Sequence, residues 1–401
     1  MKEGMKPSKG HYYFRGDKQI WIISFILVLI SVVEVYSTTY ALAYSEYGGD
    51  TMRVLGKHIL FLSVGAFAMF TFQMIPIGKL AKLSGLMLFV MFFVLLFTLI
   101  FGVEINHARR WIDIMGFTVQ PSEFVKIPLI LYVAYILAEK RKQLESLSYI
   151  VVYLFAVVVL ICVVIVPASL TMGVFLFSVC FIMMCFGRIP RRYLLGFPSV
   201  LLLSFVVFLW IVPKIDNLPT KLTKRVTTWR SRIENFVSSD KEVLTEKERD
   251  AQAQSKSAQI AIANGLLWGK GPGNGTQMMT LPVGYADFIF ASLVEEGGLI
   301  TAIMVMFLYL WLLYRIYVIM RESRRPYYLY LCGGFGVLIG LQAFAHICIT
   351  VGLMPVTGLT LPLVSLGGSS SVVTCIELGI IQSVARQQRK ELYEGEKQDV
   401  V

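Results

Sequence analysis

Long apolar stretches alternate with short polar punctuation along almost the whole chain. A helix needs about 20 apolar residues to cross a bilayer, within a range of roughly 17–25. Runs of this kind at 19–41, 58–76, 84–103, 124–138, 148–166, 170–187, 195–213, 297–317, 327–352 and 369–386 predict ten spans. The run at 124–138 is short, and Pro167-Ala168-Ser169 reads as a tight turn between two spans that could pass for one long helix. The pattern divides the chain into a basic tail (1–18), seven spans (19–213), one large segment outside the bilayer (214–296), three more spans (297–386) and a polar tail (387–401). The predicted fold is an all-α polytopic membrane bundle.

Composition supports this picture. The 401 residues are 56% hydrophobic and 16% charged, against about 25% charged in soluble domains. With the N-terminus placed in the cytoplasm, 21 of the 37 Lys and Arg residues fall in cytoplasmic segments and five on the outer side. The remaining 11 lie in the long segment, whose length disqualifies it as a topology signal. Both termini are therefore expected in the cytoplasm. The net charge of +11 is explained by anchoring at the cytoplasmic surface and calls for no nucleic acid. The first apolar run can span and lacks a small-residue cleavage site, so it is read as a retained helix. All six cysteines sit inside apolar runs without a metal-type pair and are read as small packing residues.

The long outer segment has two characters. "SSDKEVLTEKERDAQAQSKSAQ" reads as a solvated helix lying over the bundle. "GLLWGKGPGNGTQ" is a flexible or tightly turning glycine loop; its spacing and the Gly271 that follows Lys270 exclude a Walker A phosphate loop.

Charged groups within a bundle are expensive, so each needs a reason. Glu123 and Lys126 open the fourth span in "QPSEFVKIP", three residues apart on one face, with Ser122 as a candidate N-cap. They form either a structural ion pair or an acid–base or phosphate-contacting pair. Glu34 and Glu377 lie deeper and need interior partners, with Lys126 as one candidate. Arg109 and Arg110 precede Trp111 at the interface, as anchors or as phosphate ligands. Gly368, Ser369 and Ser370 open the last span, either as an anion-binding helix start or as small-residue packing. Asp287, in "YADFIFASLVEEGG", is either an N-cap or a carboxylate whose apolar neighbours would make it a stronger base. Glu295 and Glu296 follow on the same stretch.

Three stretches resemble one family. "GLMPVTGLTLPLVSLGGSSS" (352–371), "ARRWID…QPSEFVK" (108–126) and "QIAIANGLLWGKGPGNGTQ…LP…DFIFASLVEEGG" (259–298) are similar to the signatures of the FtsW/RodA/SpoVE peptidoglycan polymerases, also called SEDS proteins, and occur in family order. Gly-Leu-Thr-Leu-Pro at 358–362 resembles the division member FtsW more than the elongation member RodA.

The resemblance implies an inverting glycosyltransferase on the outer face of the bacterial cytoplasmic membrane, at the division septum. It would join lipid II to a glycan carried on undecaprenyl pyrophosphate. Asp287 would act as general base on the acceptor 4-hydroxyl. Arg109, Lys126 and the start of the last span (Gly368, Ser369, Ser370) would stabilise the departing diphosphate, with a divalent cation (Mg or Mn) of unknown ligands as the candidate cofactor, and Glu123 would orient Lys126. The implied partners are a class B penicillin-binding protein and other division proteins. Several family positions differ: Val283, Gly284, Tyr285 and Ala286 replace the usual Glu-Ala-His-Thr, Ala168 replaces an Asp, His346 stands where Asn is common, and Leu366 where Tyr is common. A lipid II flippase, an elongation-type polymerase and a silent scaffold are the alternatives.

Overall fold

The computed structural model describes residues 16–39, 49–105, 108–114, 117–140, 149–187, 189–190, 193–194, 196, 199, 246–277 and 287–398. Helices α1 (Lys18–Thr38), α2 (Thr51–Met74) and α3 (Ile77–Phe101) lead into a three-stranded antiparallel sheet, β1 (Val103–Ile105), β2 (Ala108–Ile114) and β3 (Phe117–Val119). Next come α4 (Pro121–Glu139), α5 (Ile150–Ile165) and α6 (Leu170–Phe186). Helix α7 (Glu246–Gly265) belongs to the long segment, and α8 (Ile289–Arg321), α9 (Pro326–Thr350) and α10 (Gly368–Gln398) complete the bundle.

Nine of the ten predicted spans correspond to helices, and the seventh, 195–213, lies almost entirely outside the described residues. Seven of the helices are long and apolar enough to cross a membrane, and α5 and α6 are shorter apolar helices. Side chains such as Phe25, Phe67, Phe101 and Leu310 project outward, as lipid-facing residues of a bundle must. The predicted turn is present: Ser169 caps α6 by accepting a hydrogen bond from the Met172 amide at 3.3 Å.

Two readings need correction, and one element is new. The second span begins earlier than hydropathy suggests, at Thr51, because Asp50 caps it through the Arg53 amide at 3.1 Å. The cap of α4 is Gln120, and Ser122 instead accepts a hydrogen bond from the Gln120 side chain at 2.9 Å. The segment between α3 and α4 is a small β-meander, with Val103 opposite Trp111 and Asp113 opposite Thr118. A few short strands leave no hydropathy signal in so apolar a chain.

Helix α10 is the most buried of the spans and packs most extensively on α2. Small residues allow the approach: a Cβ at Gly379 would lie 2.6 Å from the Met69 carbonyl, and one at Gly65 would lie 2.9 Å from Cys375 Sγ. Cys375 thus has the packing role expected of it. Five cysteines are buried and Cys185 is exposed on α6.

At the end where α1 begins, Asp17 is buried and caps α1 through the amides of Gln19 (2.8 Å) and Ile20 (3.3 Å). Its carboxylate also pairs with Arg315 of α8 and lies 3.9 Å from Arg389 of α10. Gln382 accepts from its amide at 2.5 Å and donates to its carbonyl at 2.8 Å. This knot ties α1, α8 and α10 together at the end opposite Asp287.

Candidate functional site

The Asp287 end is built from irregular backbone held by side chains. Helix α8 begins at Ile289, and its cap position falls on Phe288, which makes no side-chain capping bond. Asp287 therefore does not fill the N-cap role that its sequence position allows. Phe288, Ile289 and Phe290 are buried, while Asp287 itself is half-buried at their edge. Its carboxylate packs on the loop at 351–367: a Cβ at Gly358 would lie 3.5 Å from Asp287 Oδ2. Gly358 has φ +74°, a conformation that side-chain-bearing residues rarely adopt. The residues just before Asp287, 278–286, lie outside the described residues, including the stretch that departs from the family pattern.

Beneath this loop is the pair read from "QPSEFVKIP". Lys126 Nζ donates to Glu123 Oε2 at 2.6 Å and to Gln342 Oε1 at 3.2 Å, with only 1% of the Lys126 side chain exposed. Lys126 also lies 5.9 Å from the centre of the Phe175 ring, a cation–π distance. Glu377 of α10 is buried within electrostatic range of both Lys126 and Glu123. Lys126, the candidate expected, is thus within electrostatic reach of Glu377, while its direct bonds go to Glu123 and Gln342. Glu34 lies elsewhere, beside Ser292 and Glu296 of α8.

Gln342 extends the network. Its amide donates to the Thr360 carbonyl at 2.9 Å, and Thr360 Oγ1 and Ser370 Oγ are 2.7 Å apart. Ser369 Oγ accepts from the Gln120 amide at 3.2 Å, which joins the start of α10 to the start of α4. Gly368 packs closely, since a Cβ there would lie 2.7 Å from the Phe61 ring of α2. Contacts within the protein therefore occupy Gly368, Ser369 and Ser370, as the packing alternative for this helix start requires.

Arg109 lies on the exposed face of β2 and donates to the Ile100 carbonyl at 2.7 Å. With Arg110, Thr98, Ser122 and Ala168 it lines a crevice of about 10 Å³ that does not include Asp287. Arg110 lies 5.9 Å from the centre of the Trp111 ring, an interfacial cation–π contact.

The glycine loop and the two glutamates that follow Asp287 form one structural unit. Helix α8 kinks at Gly298, with φ +71° and ψ −174°. The loop after α7 fits into the kink: the Lys270 amide donates to the Glu295 carbonyl at 2.9 Å, and the Gly271 amide to the Glu296 carbonyl at 2.9 Å. A Cβ at Gly269 would lie 2.1 Å from the Glu296 carbonyl, and one at Gly265 would lie 2.0 Å from the Val294 carbonyl. These glycines permit backbone-to-backbone contact and make the loop ordered. The Glu295 side chain pairs with Lys270 at 2.7 Å and accepts from the Thr276 amide at 3.0 Å. The Glu296 side chain accepts from Ser37 and from the Gly273 amide at 3.1 Å. Both acids are buried and clamp the loop, which leaves Asp287 as the half-buried carboxylate of this stretch. Helix α7 rests on α8 through buried Ala258 and Ala261, so one face of the expected solvated helix is docked.

Gln342 and Gly358 went unrecognised in the sequence. A glutamine one turn before a histidine in a mostly apolar span was the available signal for Gln342.

A family model described as "Cell cycle protein" and named for FtsW, RodA and SpoVE matches residues 17–390. The chain is 29% identical over 386 residues to a protein of Geobacter metallireducens named "Probable peptidoglycan glycosyltransferase FtsW", with 94% of this chain and 96% of that one covered. It is 30% identical to the protein of that name from Nitrosococcus halophilus, with 89% of each covered. It is also 29% identical to "Stage V sporulation protein E" of Bacillus subtilis, with 93% of this chain and 98% of that one covered. Among solved structures, a chain from a study of how a peptidoglycan synthase complex coordinates polymerisation and crosslinking superposes with a TM-score of 0.71 at 22% identity, covering 93% of this chain and 98% of that one. The rod shape determining protein RodA of Thermus thermophilus superposes with a TM-score of 0.65 at 20% identity, covering 93% and 97%. With its ordered motifs, multi-pass helical fold and a match over nearly its whole length, the chain belongs to the FtsW/RodA/SpoVE, or SEDS, family of membrane proteins.

Proposed function

We propose that this protein is a peptidoglycan glycosyltransferase that extends glycan strands from lipid II at the outer face of the cytoplasmic membrane, in septal wall synthesis. One observation carries the reading. A half-buried carboxylate, Asp287, meets Gly358 of the 351–367 loop, and that loop is tied through Thr360 to Gln342, Lys126 and Ser370. The three sequence signatures thus converge at one end of the bundle, where two lipid-anchored substrates can meet.

In this mechanism Asp287 takes the proton of the acceptor 4-hydroxyl as that oxygen attacks the anomeric carbon of the donor. The donor's bond to its diphosphate breaks, the configuration inverts, and the lipid diphosphate leaves with its electron pair. The buried apolar run from Phe288 to Phe290 walls the carboxylate on one side. Arg109, exposed on β2, is assigned to the departing diphosphate. Lys126 is sealed from solvent, so its part is to hold Gln342 and Glu123 and to contribute positive potential. Gly368, Ser369 and Ser370 would fix the loop at the start of α10. Among the described residues no three His, Cys, Asp or Glu side chains form a metal-ligand set.

Two relatives are named peptidoglycan glycosyltransferases, and a structural neighbour comes from a synthase complex, which supports a crosslinking partner of the class B penicillin-binding type. The test is purified protein given lipid II, with and without that partner, and resolved on a gel. Long glycan strands are expected. Absence of strands under both conditions, with lipid II crossing a vesicle bilayer instead, would replace the enzyme with a carrier.

A further inference from the structure

The loop at 351–367 runs between α9 and α10 with irregular backbone, and irregular backbone among membrane helices must have its polar groups satisfied by protein. Side chains from three helices bind its carbonyls almost in succession. His346 and Gln342 of α9 hold Leu359 (2.7 Å) and Thr360 (2.9 Å). Tyr309 of α8 holds Pro362 at 2.5 Å. Ser31 of α1 holds Val364 at 2.7 Å. Within the loop, Ser365 Oγ accepts from the Leu361 amide at 2.8 Å.

His346 makes the first of these bonds, on the residue next to Gly358, where an added Cβ would lie 3.5 Å from Asp287 Oδ2. The imidazole is fully buried. Because Nδ1 faces a carbonyl it must carry the ring proton, which leaves Nε2 as a bare acceptor. Nε2 is buried and has no hydrogen-bond partner among the described residues. The ring is thus held by its Nδ1 side, at the cost of an orphaned nitrogen on the other. Gln342 stands one turn earlier on the same face, so α9 presents two donors in register with two consecutive carbonyls.

We infer that His346 is a positioning residue for Asp287: its Nδ1–H fixes the Leu359 carbonyl and thereby sets where Gly358 stands against the Asp287 carboxylate. This rests on the reading of Asp287 as the base, so the Asp287→Asn variant is assayed alongside. The test uses full-length protein and three substitutions. Asn places its amide nitrogen where Nδ1 stands and has no counterpart of Nε2. Gln reaches the Nε2 position and leaves Leu359 without its donor. Leu removes both.

The expected result is that His346→Leu and His346→Gln lose about 10- to 100-fold in turnover on lipid II while KM stays within about twofold, since a displacement near 1 Å costs on that order. His346→Asn should stay within about threefold of the parent. Tyr309→Phe releases Pro362, farther from Gly358, and should lower the melting temperature with less loss of turnover. Parental turnover in folded His346→Leu would overturn the inference. So would activity in the Gln variant without activity in the Asn variant, because Nε2 would then be the working atom. If His346→Leu does not fold, the Asn and Gln pair decides alone. If Asp287→Asn itself polymerises lipid II, the base assignment fails first, and the two failures are distinguished.

Discussion

Asp17 and Asp287 each stand within two residues of the start of an apolar helix, at opposite ends of the bundle. Asp17 is 2% exposed, caps its helix, and has Arg315 and Arg389 on the same carboxylate. Asp287 is half-buried, leaves the cap position to Phe288, and sets its carboxylate against a glycine. The first acid is saturated by donors from α1, α8 and α10 in the wall of a cavity of about 130 Å³. The second stands at the margin of a rigid loop, with apolar side chains behind it. Adjacent sequence gives no clue to this difference, because the two arginines on Asp17 come from distant parts of the chain.

The contrast breaks first at Asp287. Asp287→Asn should reduce lipid II polymerisation by about 10²- to 10⁴-fold, the usual worth of a general base, with an unchanged melting temperature. Substantial strand synthesis by this variant would return Asp287 to the same class as Asp17. Asp17→Ala should do the reverse. It removes a cap and strands Arg315, which is itself part-exposed, so about 2–3 kcal/mol of stability should be lost. Turnover per folded molecule at low temperature should hold, and a selective loss of turnover would give this knot a catalytic role.

Glu123→Gln sharpens the picture, because it unpairs a buried ammonium that still has Gln342 and Glu377 nearby. A loss of about 1–3 kcal/mol is expected, together with reduced activity as the Thr360 contact loosens. Melting curves that overlay the parent's would mean that the pair is not holding the helices. The smallest effect is expected from Gly358→Ala, which forces φ +74° on a side-chain-bearing residue at about 1 kcal/mol. Turnover should fall more than stability does, since the new methyl meets the Asp287 carboxylate. A variant that melts early with parental turnover would uncouple the loop from the acid.

The spans were legible because a run of about 20 apolar residues has one low-energy solution in a bilayer. The Glu123–Lys126 pair was legible because its spacing alone places both groups on one helical face. The roles of Gly265, Gly269 and Gly298 were not, since each glycine is needed for a backbone contact with a distant segment. Ser369 and Ser370 allowed either an anion site or helix packing, and the sequence could not show that Gln120 and Thr360 reach their hydroxyls. The β-meander was hidden by the hydropathy that made the spans obvious.

By itself the sequence determined that this protein crosses a membrane many times, how its charges divide between the two sides, and which few polar residues its helices would have to accommodate. Those properties follow from the free energy of moving each residue out of water, which is a sum over local composition. Only the tertiary structure decided which of those polar residues are mutually satisfied. It sealed Asp17, Glu295 and Glu296 behind donors from other helices and from the glycine loop, and it brought Gly358, next to the carbonyls held by His346 and Gln342, near Asp287. Many of the donors that saturate these buried groups arrive from positions tens to hundreds of residues away, and only folding brings them within reach.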